Sequence, residues 1–390
     1  MNSKTMAIVV LLFGTFVVLL RVSFSLGDLY DVPRDYLESF GFHFHADSYR
    51  IDLRGRFVYS DVAVRTEDGQ EYFRADTIQG RIPLFRAMQL RQTLRRGEED
   101  VWPRLLDLRS VRIENISATV PFEETAAQVE RGRLDIGGRG NSLRGIFSAD
   151  RGLLGPFTVD SLSLPVTLEE TQLMATSASL TLAEGVLTFD GLYDHEKKAL
   201  QGNLRGDSLS LEALLPEARL GGQLSFSFSS DTLTIPDIRN PYRLSGNGRF
   251  SLEKFSDSES DYLQRARREL ARIGIADLDF DHIGGDVRLR NGIVESHEIS
   301  CIHDYYSLHL AGMYLLVPGT FAYSIEGRIS PEFRTYVRPV IWDALIEDEK
   351  IDGGRLFYGT MEGRPEAYRV SVDAEIIKRG VRGFFRNIFN

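Results

Sequence analysis

Apolar and polar residues alternate in short runs along most of this chain, from about residue 50 to residue 373. Gly, Asp and Asn residues separate the runs, and clear examples are Phe57–Val64, Val111–Val120, Ser161–Leu168 and Tyr306–Leu316. A period of two indicates antiparallel strands with one apolar face and one polar face. No strand–helix–strand rhythm points to a parallel sheet. The pattern predicts a mainly β fold built as sandwiches, a closed barrel or one long curled sheet.

Helical patterns are few. Asp261–Ile273 places Leu263, Leu270 and Ile273 on one stripe opposite a set of arginines, which predicts an amphipathic helix. Three further segments have helical character: Leu84–Arg96, Pro331–Ile346 and the C-terminal Glu375–Phe389. The last of these is open to three interpretations: a helix that plugs the end of the β core, a helix that lies on an anionic membrane, or a helix that docks on a partner.

The N-terminus begins with an uninterrupted apolar run, Met6–Leu20. A helix of this length spans about 22 Å, and continuation to Leu26 supplies the rest of a hydrocarbon core of about 30 Å. Residues 1–26 are therefore predicted to form a transmembrane anchor. The alternative is a cleaved signal peptide with Ser23 and Ser25 before the cleavage point, which Arg21 fits poorly. Both interpretations predict that the remaining residues lie outside the cytoplasm.

Composition narrows the classes of function. The chain has 390 residues, 43% of them hydrophobic and 26% charged, as expected for a folded protein. The formal net charge of −10 argues against a nucleic-acid-binding protein of generally basic character. Cys301 is the only cysteine, which excludes an intrachain disulfide and any metal site built on several cysteines. We expect it to be a small buried hydrophobic residue on a strand.

Motifs for catalysis or cofactor binding are missing from the sequence, so we predict no enzymatic activity, no cofactor and no metal. His43 and His45 would share one strand face, with Asp47 nearby, but Phe42 and Phe44 on the other face favour a solvated pair. His297 and His303 flank Cys301, as in a Cys/His nucleophile pair. Such pairs are adjacent in space rather than in sequence, and a strand with surface histidines explains the same pattern.

The order of several weak motifs resembles AsmA-like proteins, a family of membrane-anchored periplasmic β proteins that includes the TamB type. In the C-terminal third these are Ile283–Val294, Leu310–Met313, Tyr323–Arg328 and Gly359–Pro365. On the N-terminal side the resemblance rests on the anchor, followed by Leu53–Gly55, Val58–Val64 and Tyr72–Ile78, and in the middle on the short glycine-separated strands of Phe189–Leu211.

The resemblance implies a single-pass inner-membrane anchor followed by a long, twisted, curled antiparallel sheet, taco-like, with an apolar groove and a bulk that is periplasmic. Related large proteins shield phospholipid acyl chains on the way to an outer membrane. The implied regions are a transmembrane anchor (1–26), an N-terminal AsmA-like β region (27–120), middle β repeats (121–257), an amphipathic helix (258–274), and a C-terminal AsmA-like β region that ends in a second amphipathic helix (275–390).

Alternation along the C-terminal strands suggests which side chains would line such a groove. The groove candidates are Val287, Leu289, Leu308, Leu310, Tyr314 and Leu316. The candidates for contact with a membrane surface are Arg382, Phe384, Phe385 and Arg386. The predicted function is phospholipid binding or transfer in envelope biogenesis, with possible envelope-assembly proteins as partners. Two alternatives are a structural scaffold or regulator for outer-membrane protein assembly without lipid transport, and a polysaccharide-binding or hydrolytic β protein.

Overall fold

The computed structural model describes residues 41–51, 55–81, 109–121, 126–139, 142–231, 233–234, 245–257, 260, 263–275 and 278–372. Within these residues the protein is mainly β, and its strands form a large antiparallel sheet that the described pairings leave open. This confirms the mainly β, antiparallel class that the alternation predicts. The chain divides into two compact units, residues up to 182 with 186–202 and residues 183–185 with 203 onward. The domain boundaries suggested by the sequence stay predictions.

The first unit contains long strands that pair with their neighbours in chain order. Many apolar positions lie opposite an apolar position of the next strand, which stacks side chains into rows across the sheet. The strands are β1 (Phe42–Ile51), β2 (Arg56–Thr66), β3 (Glu71–Arg81), β4 (Ser110–Pro121), β5 (Ala126–Arg139), β6 (Ser142–Leu154), β7 (Phe157–Glu169), β8 (Gln172–Leu182) and β9 (Gly185–Asp194).

The core of the first unit lies under β1–β6. Tyr59, Ile78, Ile113 and Leu134 lie directly opposite one another on β2, β3, β4 and β5, and none of them is more than 3% exposed. Removal of this much apolar surface from water is the main favourable term for folding here. The alternating polar residues of the same strands remain exposed, as the sequence pattern predicts.

The second unit contains the remaining strands, most of which pair with the next strand in the chain. The exceptions involve two strands of two residues each: β11 pairs directly with β13 past β12, and β17 pairs directly with β19 past β18. The strands are β10 (Ala199–Ser210), β11 (Leu220–Ser230), β12 (Leu233–Thr234), β13 (Gly246–Asp257), β14 (Phe280–Arg290), β15 (Ile293–Ile302), β16 (Tyr306–Leu315), β17 (Thr320–Ile329), β18 (Ile346–Glu347), β19 (Arg355–Arg364) and β20 (Ala367–Val372).

The described helices are short and belong to the second unit. The predicted helix Asp261–Ile273 is confirmed in its described part, and it ends where Gly274 adopts a left-handed φ of 96°. The helices are α1 (Leu211–Leu214), the 3₁₀ helix η1 (Pro216–Ala218), α2 (Gln264–Leu270), η2 (Ala271–Ile273), η3 (Pro331–Tyr336) and α3 (Pro339–Trp342).

The apolar pattern predicts one continuous helix over Pro331–Ile346, and this prediction is wrong. The segment consists of η3 and α3, separated by Val337 and Arg338, which have extended ψ values of 137° and 135°. Pro339 explains the break, because its ring disfavours the helical conformation in the residue before it. The apolar periodicity does not reflect this restriction, so by itself it predicts an unbroken helix.

Among the described helices, none combines the length and the apolar composition needed to cross a bilayer. The predicted anchor, residues 1–26, lies outside the described residues. So do the predicted helices Leu84–Arg96 and Glu375–Phe389, and with the latter the membrane-surface candidates Arg382, Phe384, Phe385 and Arg386.

Candidate functional site

The histidine pair on β1 lies on the solvated face of its strand. His43 and His45 are exposed, whereas Phe42 and Phe44, which alternate with them along the strand, are each 5% exposed and belong to the core. His45 Nε2 lies 3.0 Å from Asp47 Oδ1. Within the part of the chain that the structure describes, no three potential ligands come together around a metal position.

Cys301 packs as an apolar side chain, as predicted. It is 7% exposed on β15 and lies opposite Ile283 on β14 and Leu308 on β16. Burial raises the pKa of its thiol to about 12, so the thiolate form is scarce at neutral pH. His303 instead stacks on Tyr306, with ring centroids 4.4 Å apart. The arrangement does not provide an activated cysteine nucleophile.

One face of the sheet in the second unit is apolar across successive strands. Leu289, Val294, Tyr314 and Phe321 lie opposite one another on β14, β15, β16 and β17. Because neighbours across a ladder share a face, the row forms one continuous surface. A second row crosses the same strands through Ile299, Leu310 and Ile325 and continues on β13 at Phe250.

The opposite face of the same strands is charged. Arg249 on β13 lies opposite Asp286 on β14, and its Nε donates to the Asp286 carboxylate at 2.7 Å. This hydrogen bond holds the pKa of Asp286 below its usual range. Arg288 and Arg290 follow on the same side of β14, and both are exposed. The sheet is therefore amphipathic, with a polar face towards water and an apolar face that needs cover.

Helices cover part of the apolar face and form with it what we call the capped core. Leu270 and Ile273 from α2 and η2 lie in one buried cluster with Phe333 of η3 and Trp342 of α3. The strand residues of the capped core include Leu252, Cys301, Leu308, Ile329 and Phe357. Ile329 and Phe357 are 0% exposed, so the protein itself fills this part of the face completely.

Polar contacts fix the helices in place over the capped core. The Arg267 guanidinium donates to Asp257 at the end of β13, with Nη2 2.6 Å from Oδ2. Asp257 Oδ1 also accepts from the backbone N–H of Ser260 at 2.7 Å. At α3, Arg355 Nε donates to the carbonyl oxygen of Trp342 at 3.2 Å, and its guanidinium lies 5.4 Å from the centre of the indole ring.

The remaining part of the apolar face is only half-buried, and we call it the half-buried surface. Its side chains lie on the same apolar face as the capped core, and three of them, Leu310, Phe321 and Met361, pack against the buried cluster. It comprises Val287, Leu289, Val294, Leu310, Tyr314, Phe321, Tyr323 and Met361. A surface of adjacent apolar side chains that is neither fully buried nor polar is a candidate for ligand contact.

The groove candidates from the sequence divide between these two regions. Val287, Leu289, Leu310 and Tyr314 belong to the half-buried surface, and Leu316 is half-buried in the turn after β16. Leu308 is 6% exposed and lies in the capped core, where other side chains of the protein already pack on it. Phe321, Tyr323 and Met361 were not singled out from the sequence, although their alternation along β17 and β19 carries the same signal.

Glycines on the apolar face accept aromatic rings from the neighbouring strand. A Cβ at Gly312 would lie 2.8 Å from the Tyr323 ring, and a Cβ at Gly327 would lie 2.0 Å from the Phe357 ring. In the ladder, Gly312 on β16 lies opposite Tyr323 on β17, and Gly327 on β17 lies opposite Phe357 on β19. The missing side chains let the rings lie flat along the sheet.

Comparisons with protein-family models, with curated proteins and with solved structures found no match for this chain. The resemblance to AsmA-like proteins therefore stays a prediction from the order of the sequence motifs.

Proposed function

We propose that this protein is a membrane-anchored lipid-binding protein that holds phospholipid acyl chains against the half-buried surface. In this proposal the protein belongs to the AsmA-like class, is anchored in an inner membrane by residues 1–26, and has a periplasmic bulk that takes part in lipid transfer or envelope biogenesis. It requires no catalytic step, metal or cofactor.

The observation that supports the proposal most is the contrast between the two parts of one apolar face. In the capped core the strand residues form one buried cluster with Leu270, Phe333 and Trp342 of the helices. The same face continues through Val287, Leu289 and Tyr314, which are half-buried and are not members of the buried cluster. If the apolar face served only the folding of this unit, it would not need to extend past the residues that the helices cover.

The chemistry of the half-buried surface suits an acyl chain. Hydrophobic burial is non-directional and contributes about 0.8 kcal/mol for each methylene removed from water. A run of apolar side chains therefore binds many chain lengths without specific contacts. The polar face behind it, with Arg249, Asp286 and Arg288, keeps the other side of the sheet in water.

The test is native mass spectrometry of the full chain extracted from membranes, with identification of any retained lipid. We expect retained phospholipid in the unmodified protein and its loss in Val287→Asp and Tyr314→Asp, because a charge on the half-buried surface opposes burial of a methylene chain. Met313→Asp is the matched control, since Met313 lies on the other face of β16 and is 45% exposed.

A photo-crosslinking amino acid at Tyr314 or at Met313 gives an independent readout in the membrane. We expect crosslinks to lipid from position 314 and few from position 313. A folded protein that carries no lipid, or that crosslinks equally from both positions, contradicts the proposal.

A second candidate function is a scaffold for envelope assembly that carries no lipid, and an exposed aromatic patch favours it. Phe333 and Tyr336 stack with centroids 5.2 Å apart, and Tyr305 stacks on Phe333 at 6.1 Å. Tyr336 is 64% exposed and Tyr305 is 37% exposed. Exposed aromatic side chains of this kind are enriched at protein interfaces.

Two variants, Tyr336→Ser and Tyr314→Asp, distinguish the scaffold function from the lipid-binding function. If the protein is a scaffold, Tyr336→Ser releases a partner protein that is otherwise retained with the full chain, and Tyr314→Asp leaves that partner bound. If the protein binds lipid, Tyr314→Asp removes the lipid and Tyr336→Ser does not.

A further inference from the structure

A cavity of about 830 Å³ lies where α2 packs beside β20, and its lining combines charge with apolar surface. Four arginines and two glutamates give the lining a formal charge of +2, in a chain whose formal net charge is −10. The charged residues are Arg265, Arg268, Glu269, Arg272, Glu362 and Arg369. A local excess of positive charge in an acidic protein favours an anionic ligand.

The arginines come from two segments that are about a hundred residues apart, and the contact between these segments is well defined. Arg265 Nη1 donates to the carbonyl oxygen of Tyr368 at 2.7 Å, and its guanidinium lies 6.0 Å from the centre of the Tyr368 ring. The Tyr368 hydroxyl accepts from the backbone N–H of Ala266 at 3.4 Å. These contacts hold α2 against the edge strand β20, so the cavity is part of the fold.

The lining arginines differ in their carboxylate neighbours, and Glu362 on β19 lies opposite Arg369 on β20. Arg272 is paired with Glu269. Arg268 Nε donates only to the carbonyl oxygen of Gln264 at 3.3 Å. Within the residues that the structure describes, Arg268 and Arg369 form no ion pair. A guanidinium presents a planar fork of donors that matches the oxygens of a phosphate group.

The apolar part of the lining connects the cavity with the half-buried surface. Phe321 lines the cavity and lies opposite Tyr314, and Val370 lines it and lies opposite Met361. An anion bound by the arginines would thus have an apolar path for chains attached to it. Inorganic phosphate needs no such path, whereas a lipid does.

We propose that this cavity binds the anionic headgroup of a phospholipid whose acyl chains lie on the half-buried surface. The proposal rests on the proposed function and adds the class of ligand: an anionic phospholipid in preference to a lipid without phosphate. The ligand would place its phosphate among Arg268, Arg272 and Arg369 and its chains over Phe321 and Tyr314.

The test measures binding to the full-length protein by native mass spectrometry titration with two lipids that share their acyl chains. Dioleoyl phosphatidylglycerol carries a phosphate and dioleoylglycerol does not. We expect phosphatidylglycerol to bind at least tenfold more tightly, and the triple variant Arg268→Gln, Arg272→Gln and Arg369→Gln to bind both lipids with the affinity of dioleoylglycerol. Glu362→Gln removes a negative charge from the lining and is expected to strengthen phosphatidylglycerol binding.

The matched control replaces the same number of exposed arginines outside the cavity, Arg205→Gln, Arg288→Gln and Arg290→Gln. We expect it to keep the preference for phosphatidylglycerol, and an unchanged thermal unfolding midpoint in both triple variants shows that folding is intact. Equal binding of the two lipids to the unmodified protein, or the same loss in both triple variants, overturns the headgroup site and leaves the proposed function standing. Inorganic phosphate that displaces phosphatidylglycerol at equal concentration reassigns the cavity to free phosphate. Failure of both lipids to bind overturns the proposed function itself.

Discussion

The Arg267 guanidinium lies 2.6 Å from a carboxylate oxygen of Asp257, whose side chain is completely shielded from water. This pair joins α2 to the end of β13. Together with η2, which follows it directly, the same helix presents Arg268 and Arg272 to the cavity beside β20 and Leu270 to the capped core. This ion pair thus contributes both to the cover of the apolar face and to the position of the cationic cavity.

We expect Asp257→Asn to lower the free energy of unfolding by about 3 kcal/mol, because it leaves a partly buried guanidinium without its counter-charge. Chemical denaturation followed by tryptophan fluorescence measures this, since Trp342 is 2% exposed in the capped core. Asp286→Asn is the control. It breaks the exposed pair with Arg249 and is expected to leave the unfolding transition close to that of the unmodified protein. Equal effects of the two variants would contradict the assignment of Asp257.

We expect Leu308→Ala to lower mainly the stability of the protein and Tyr314→Ala to lower mainly its retention of lipid. Leu308→Ala leaves a cavity in the capped core and should lower the free energy of unfolding by about 3 kcal/mol. Tyr314→Ala acts on the half-buried surface and should reduce retained lipid with a smaller loss of stability. Thermal unfolding and native mass spectrometry of the same samples measure both effects. A Tyr314→Ala protein that loses as much stability as Leu308→Ala and keeps its lipid contradicts the division of the apolar face.

We expect Gly327→Ala to destabilise the second unit by about 1–3 kcal/mol, as overpacking of a filled core does. The added Cβ would lie 2.0 Å from the Phe357 ring, and that ring is 0% exposed and has no room to move. Gly137→Ala is the matched control on a strand, because nothing lies within 4 Å of the added Cβ. Urea denaturation of both variants checks the prediction, which fails if Gly327→Ala is as stable as Gly137→Ala.

We expect Cys301 to resist thiol reagents while the protein is folded. Its folded pKa of about 12 lies above the ordinary value of 9.0, because burial disfavours the thiolate. The raised pKa means that its contribution to stability is fully present below pH 9 and is lost as the pH rises towards 12. Labelling with a chromogenic disulfide reagent at pH 8 should follow the rate of unfolding and become fast in denaturant. Because Cys301 is the only cysteine, rapid labelling of the native protein would contradict this directly.

Several elements follow from local sequence. Tyr306–Leu316 alternates in the printed sequence, and β16 spans Tyr306–Leu315 with Leu308, Leu310 and Tyr314 on one face. The amphipathic stripe that ends at Ile273 predicts α2 and η2, and Gly274 marks their end. Pro339 shows the limit of periodicity, since a stripe that looks helical from 331 to 346 is interrupted by the restriction on the residue before proline.

The sequence by itself determined which residues share a face within each regular stretch of strand, because side chains alternate along an extended backbone. Only the tertiary structure decided which of those residues are buried. Leu308 and Tyr314 have the same position in the alternation, yet Leu308 lies within the buried cluster that the helices complete, and Tyr314 lies beyond it. The cationic cavity likewise depends on α2 meeting β20, which places Arg268 and Arg369 in the lining of one cavity. Such contacts join segments that are far apart in the chain, and no local pattern of residue types encodes them.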